Sequence, residues 1–446
     1  MFLHGTSTIN GRGHLEIGGC DATVLAESFG TPLYVMDEEL IRRRCREFTQ
    51  AFKESGLDYQ VAFASKAFCV MAMCRLIEEE GLTLDVVSDG ELYTALQAGF
   101  PPERIHFHGN NKTPDEIAFG VDAGIGVFVV DNFHELALLN AIAGSKKKTV
   151  KILLRVSPGV EAHTHDYMLT GNEDSKFGFD LGSGGAMEAA KQALEQPHLK
   201  LLGIHSHIGS QIFEVDGFRM AVDKLMQFCL AVRTETGAEF RVLNLGGGFG
   251  VRYVEGDKPL EIADYVKAIT ANIYSTFTDN GYPVPSIWVE PGRTIVGDAG
   301  TTLYTIGSMK ELPGIRKYVS VDGGMTDNPR PALYQAKYEA MLANRGHDAN
   351  EETVSIAGKC CESGDMLIWD LELPKAEAGD ILAVSCTGAY NYSMASNYNR
   401  IRKPAVVFVK DGEAEVVVRR ETHADLIAGD VIPARMHKAP SEAGIR

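Results

Sequence analysis

The chain of 446 residues has no apolar run approaching the roughly 18 residues that a bilayer crossing takes, so no membrane partner is expected. Met1 to Gly19 lacks a basic start followed by an apolar stretch, and a secretory signal is not expected there. The eight cysteines, at 20, 45, 69, 74, 229, 360, 361 and 386, contain no CxxC pair, and a chain this long needs no disulfide framework. Reduced thiols in the cytoplasm are the expectation. Positive charge is in short supply: 43 Lys and Arg stand against 60 Asp and Glu, a net charge of −17 at pH 7. Such a surface repels phosphate backbones and argues against a nucleic-acid partner, though a local basic site for a small anion remains compatible with it. Internal repeats, low-complexity tracts and long linkers are missing as well.

What is present is a sizeable core: 45% of residues are hydrophobic and 23% charged. The length suits a large α/β domain plus a second domain. Apolar, β-branched runs recur at Val61–Ala64, Leu84–Val87, Ile105–His108, Val127–Asp131, Lys151–Val156, Leu201–His207, Val242–Leu245 and Ile287–Glu290. Helix-like stretches such as Glu91–Gly99 and Glu188–Gln196 separate most of them. Alternating strands and helices imply parallel strands with helical crossovers, and eight such units fit an α/β (β/α)8 TIM barrel, assigned to residues 31–297. Beyond Gly297 the segments shorten to strands parted by Gly or Asp. Residues 298–446 therefore read as an all-β domain of sandwich or barrel type, with the β-like residues 1–30 expected to pair with it.

Side chains alternate across a strand. Tyr59, Val61 and Phe63 then face the helices, while Gln60, Ala62, Ala64 and Lys66 face the barrel interior. Likewise Leu202 and Ile204 leave Gly203, His205 and His207 inside, and Ile287 and Val289 leave Trp288 and Glu290. Asp85, Arg155, Asn244 and Glu290 fall at the C-terminal strand ends, where barrel enzymes gather their chemistry. For one such residue a satisfied polar core position is as good a reading; for the set, function is favoured.

Lys66 ends its strand in Phe63-Ala64-Ser65-Lys66. A lysine in an enclosed pocket can lose its proton and condense with an aldehyde, although most lysines are simply solvated. Gly246-Gly247-Gly248-Phe249-Gly250 follows the seventh strand and Glu290-Pro291-Gly292-Arg293 the eighth, where barrels commonly hold phosphate. The glycine run is not GxGxxG, because position 251 is Val251, which disfavours a dinucleotide. A carboxylate such as Glu290 suits a pyridine nitrogen, or is an ordinary buried acid. His205 and His207 share a face and read either as a metal pair or as a histidine stacked on a cofactor ring near Ser210. No further His or Cys pair stands at a fitting spacing, so no metal site is expected; His163 and His165 read as loop. Cys360-Cys361-Glu362-Ser363-Gly364-Asp365 is a small buried turn or an acid near a cofactor.

Taken together the motifs resemble the diaminopimelate decarboxylase family of alanine-racemase-like (fold type III) pyridoxal 5'-phosphate enzymes. The likeness spans nearly the whole chain and rests on Ala64–Ala67, His205–Gln211, Leu245–Gly250, Glu290–Arg293, Arg330–Tyr334, Cys361–Asp365 and Gly388–Tyr390. It implies decarboxylation of meso-2,6-diaminopimelate to L-lysine and CO2, the last step of lysine biosynthesis. In that family Lys66 would carry the cofactor, with Asp85 beside it. His207 would stack on the ring and Glu290 meet its nitrogen. Ser210, Gly248, Glu290, Pro291, Gly292, Arg293 and Tyr390 would hold the cofactor and its phosphate. Arg293, Arg330, Tyr334 and Tyr390 would bind the substrate, whose distal amine would meet Glu362. Cys361 would be the general acid. The family further implies a homodimer in which Cys361 and Glu362 complete the partner's site. A forked arginine pair suits a distal carboxylate, whereas ornithine or lysine has none to bind.

Ser206, Pro329 and Asn391 depart from the family's usual residues, and Pro329 restricts the backbone beside Arg330. The alternatives are a related decarboxylase for ornithine, lysine or arginine, a racemase, a metal-dependent barrel hydrolase built on His205 and His207, and an inactive homologue. Residues 164–180, with Gly171 and Gly178, read as the closing loop.

Overall fold

The regular spacing of the apolar runs becomes a closed ring of parallel strands in the computed structural model, which describes residues 1–160 and 175–436. His163, His165 and most of the 164–180 loop reading lie outside the described residues. The eight strands are β1 (Tyr59–Ala64), β2 (Thr83–Val86), β3 (Ile105–Phe107), β4 (Val127–Val130), β5 (Val150–Ser157), β6 (Leu199–His205), β7 (Val242–Asn244) and β8 (Ser286–Val289). Each pairs in parallel with the next, and β8 pairs with β1 to close the barrel.

Local sequence explains the crossovers. The helix Glu38–Ser55 buries Leu40, Ile41, Cys45, Phe48 and Phe52, one stripe at helical spacing, and runs from an Asp37 cap to the left-handed Gly56. The helix Pro114–Ala123 starts with a Thr113/Glu116 capping box and a proline and stops at the left-handed Gly124.

Inside the ring the lower layer is apolar: Val127, Val129, Leu153 and Val242 pack with Leu202 and Trp288. His106 stacks on Trp288 at 4.7 Å between ring centroids. Side chains thus plug the lower barrel, and the polar residues gather at the C-terminal ends of the strands. Leu202 breaks the expected alternation. The β5–β6 register shifts between Leu201 and Gly203, a bulge that turns Leu202 toward the interior cluster while Ile204 joins the helix-side core.

The second domain is built on one nine-stranded sheet. Its spine is β9 (Gly300–Leu312), and beside it runs the strand Leu33–Asp37, antiparallel to β9 and parallel to Ala405–Lys410. The barrel therefore does not begin at residue 31 as expected. All five residues of Leu33–Asp37 are buried in the second sheet, and the barrel's first element is the helix Glu38–Ser55. Residues 1–30 also differ from expectation. They form their own three-stranded sheet and the helix Ala22–Phe29, and pack Leu15, Ile17 and Leu25 against Leu33, Leu303 and Val407.

The short helix Arg330–Tyr334 hangs from a loop whose acids are deeply engaged. Asp327 accepts the Gly324 N–H at 2.9 Å and the Tyr304 hydroxyl, and burial pushes its carboxyl up to about 7. Asp365 accepts the N–H groups of Met325 at 2.6 Å and Cys360 at 2.7 Å. Pro329 takes the helical φ of −76° as the cap of this helix, so its fixed geometry fits the turn that buries Arg330.

Candidate active site

A cavity of about 530 Å³ opens over the C-terminal ends of the barrel strands. Lys66, in the single 3₁₀ turn Ser65–Ala67 that follows β1, reaches into it, and its neighbour Ser65 donates to Glu91 at 2.9 Å. The expected residues Asp85, His207, Ser210, Gly248, Glu290, Gly292, Arg293, Arg330, Tyr334 and Tyr390 line the same space, joined by Arg155, His108 and His205. Pro291 is not part of the lining; its carbonyl accepts the Ala64 N–H at 3.2 Å and ties the β8 end to β1.

Glu290 is the best-held group. Asn244 donates to it at 2.6 Å, His205 Nε2 lies at 3.0 Å and His108 Nε2 at 2.9 Å. Burial by itself would push the carboxyl up, but the two imidazoles and their hydrogen bonds outweigh it and hold Glu290 well below the usual carboxylate range. The result is a carboxylate kept ionised inside the barrel. Asp85, also buried, is pushed up to about 6 by desolvation, partly offset by His108 at 3.8 Å, and its Oδ1 has no hydrogen-bond partner among the described residues. Burial, then the charges of Lys66 and Arg155, holds His207 well below its ordinary value, so its imidazole is neutral; its Nδ1 accepts the Gly247 N–H at 3.2 Å.

The glycine loop is required by close approach. Gly248 sits at φ +105°, and a Cβ there would fall 2.5 Å from the Gly209 carbonyl; a Cβ on Gly247 would fall 2.3 Å from the Glu290 carbonyl. The two loops after β6 and β7 therefore lie in backbone contact and form one wall of the cavity. Ser210 and Arg293 meet at that wall, with Arg293 Nη2 donating to Ser210 Oγ at 3.2 Å.

At the mouth, Arg293 and Arg330 are 8% and 5% exposed, yet no carboxylate pairs with either among the described residues. Arg293 donates to the Tyr253 hydroxyl at 2.6 Å and Arg330 to the Tyr338 hydroxyl at 2.8 Å. Arg293 Nε is buried without a hydrogen-bond partner among the described residues. Two buried cations lacking a counter-ion mark a place for an anionic ligand group.

Cys361 and Glu362 do not line the cavity; Cys361 is exposed, and its N–H donates to Asn399 at 2.7 Å. The alternative reading of His205 and His207 as a metal pair gains no support, since the two do not fall together in a group of possible ligands among the described residues. The three groups that do come within ligand distance of one another are His106, His108 and Glu290, all within 4.8 Å. The oxygens of Glu290 are already engaged by Asn244 and His205, which favours a hydrogen-bonded floor over an ion site.

His108 is the contributor that the sequence reading passed over. Its signal was the period-two spacing of His106 and His108 at the end of β3, the same pattern noticed for His205 and His207. Tyr253 and Tyr338 carried no comparable signal, since their role depends on two segments distant in sequence.

Comparison with known proteins shows the family. The family model for the pyridoxal-dependent decarboxylase, pyridoxal binding domain, matches residues 38–297. The diaminopimelate decarboxylase of Bacillus subtilis is 60% identical over 97% of this chain and 98% of its own. That of Halalkalibacterium halodurans is 61% identical over the same shares. The crystal structure of diaminopimelate decarboxylase from M. jannaschii with L-lysine superposes at a TM-score of 0.91, with 39% identity, over 97% of this chain and 99% of the other.

Proposed function

The chain belongs to the pyridoxal-dependent decarboxylases, and from that premise we propose that it removes one carboxylate of meso-2,6-diaminopimelate, giving L-lysine and CO2 as the last step of lysine biosynthesis. The observation that carries this choice of substrate is the pair of buried arginines, Arg293 and Arg330, without a counter-ion at the cavity mouth. A substrate ending in a bare amine, such as ornithine or lysine, brings no distal carboxylate for these cations, so the reading as a decarboxylase of that kind is not favoured.

The cavity fits pyridoxal phosphate on three counts. Its volume suits a small cofactor plus substrate. The Gly247–Gly248 wall excludes side chains where a phosphate would approach backbone. Glu290 is an ionised carboxylate in the cavity lining, the kind of partner a pyridine nitrogen takes. Bound there, the cofactor supplies an electron sink for the charge left on Cα when CO2 departs.

The residues divide the remaining work. Lys66 supplies the amine that holds the cofactor, and Asp85 lies beside it. Glu290, held by His108, His205 and Asn244, would keep a proton on the ring nitrogen. His207, neutral and half-buried, would pack against the ring. Ser210, Gly248, Gly292, Tyr390 and the backbone at Arg293 would hold the phosphate, with Pro291 fixing the backbone of that turn. Arg293, Arg330, Tyr334 and Tyr390 orient the far end of the substrate so that one carboxylate stands clear for loss.

Cys361 and Glu362 act in the site of a second copy of the chain, Cys361 returning a proton to Cα and Glu362 receiving the distal amine. The exposure of Cys361, Leu333, Tyr334 and Tyr398 at this rim supports a homodimer. The eight free thiols favour a reducing, cytoplasmic setting. Among the described residues no helix is long and apolar enough to cross a membrane.

CO2 release assayed side by side on meso-diaminopimelate and ornithine tests the reading. Turnover of the first with little of the second is expected; turnover of ornithine alone would overturn it.

A further inference from the structure

The two arginines that have no carboxylate partner among the described residues come from different domains. Arg293 follows β8 of the barrel, whereas Arg330 sits in the short helix Arg330–Tyr334 of the second domain. Something must fix their spacing across that junction without cancelling their charge.

Tyr253 is placed to do so. It lies in the loop after β7, is 6% exposed, and its backbone N–H is anchored to Asp257 at 2.9 Å. Its hydroxyl accepts the Arg293 hydrogen bond at 2.6 Å, while the Arg330 guanidinium lies 5.0 Å from the centre of its ring. One side chain therefore touches both cations. Tyr338, from the second domain, meets the Tyr253 ring edge-to-face at 5.5 Å and takes the Arg330 hydrogen bond. The neighbouring positions point the other way and close the same seam, with Arg252 donating to Glu339 at 3.1 Å.

The chemistry of a phenol matters here. A carboxylate at position 253 would neutralise the arginines and compete with an incoming anion. A neutral hydroxyl and a ring face give each guanidinium a partner and leave its charge for the ligand. Burial keeps Tyr338 protonated, pushed up to about 12.

We propose that Tyr253 is a positioning residue for substrate specificity: it spaces Arg293 and Arg330 so that both grip the distal carboxylate of a dicarboxylic amino acid. This rests on the decarboxylase reading above. A residue that merely packs the domain seam would affect all ligands alike, and the test exploits that difference.

L-Lysine keeps the distal carboxylate, and 1,5-diaminopentane has the same skeleton without it. The inhibition constant of each, with kcat and KM for meso-diaminopimelate, is measured on the cofactor-loaded wild type, Tyr253→Phe and Tyr253→Leu. Tyr253→Leu is expected to raise KM and the L-lysine constant by about tenfold or more, as losing hydrogen bonds to charged groups does. The diaminopentane constant and kcat stay near wild type. Tyr253→Phe, which keeps the ring beneath Arg330, falls between. Equal weakening of both ligands, or no change in either, would overturn the proposal while wild-type turnover left the functional reading standing. Absence of meso-diaminopimelate turnover in the wild type would instead overturn that reading, and the proposal with it.

Discussion

The two ends of the cavity solve opposite electrostatic problems. At the floor the carboxylate of Glu290 is surrounded by Asn244, His205 and His108, all from the barrel. At the mouth two guanidiniums, one from each domain, have phenols for partners and no carboxylate among the described residues. Both oxygens of Glu290 are engaged before any ligand arrives, which suits a fixed electronic role. The mouth is left with surplus positive charge, which suits selection of a ligand that brings its own anion. The comparison assigns catalysis of bond breaking to the floor and choice of substrate to the mouth, and each assignment can be broken separately.

The largest effect is expected from a residue outside both ends. Cys361→Ala should slow turnover by about 10²–10⁴-fold, the range for loss of a general acid. Because Cys361 is exposed, the melting temperature should not move. Co-expression of this variant with Lys66→Ala, purified as a mixed dimer, should restore one working site in each mixed dimer; no recovery would argue against donation between copies.

At the floor, Glu290→Gln should lower kcat by about 10²–10³-fold, the scale seen when one preorganised electrostatic group is removed. KM should change little. At the mouth, Arg330→Met should do the reverse, raising KM by about 10–100-fold, as expected for loss of a charged hydrogen bond to substrate. If both variants altered kcat alone, the division of labour between the two ends would be wrong.

The sequence revealed the floor far better than the mouth. Glu290, His205 and Asn244 lie at strand ends whose alternation and spacing can be counted, so their convergence follows from barrel geometry. The exceptions have physical causes. Leu202 was put on the wrong face because a bulge shifts the phase of its strand. Leu33–Asp37 is buried throughout, so it has no alternation to reveal which sheet it joins. Arg330 and Arg293 were identified through family likeness, but Tyr253 was not. Its contacts span the domain seam to Arg330 and Tyr338, and nothing local in Arg252-Tyr253-Val254 announces them.

The smallest effect expected is on stability. Burial raises Asp85 to about 6, above the ordinary 3.8, so the folded apoprotein binds more protons than the unfolded chain between those values. Its contribution to stability is present below that window and is lost as pH rises through about 6. Asp85→Asn should flatten this decline in the cofactor-free protein, read as the melting temperature from pH 4 to pH 7. A steeper decline in the variant would contradict the sign.

The account rests on Lys66 as the point of covalent attachment, and mass spectrometry reads this directly. After borohydride reduction of the yellow holoenzyme, peptide mapping should find the pyridoxyl group on Lys66 alone, and none on the Lys66→Ala variant. An adduct on another lysine, or an unmodified Lys66 in protein that turns over substrate, would contradict the assignment of the cavity and everything built on it.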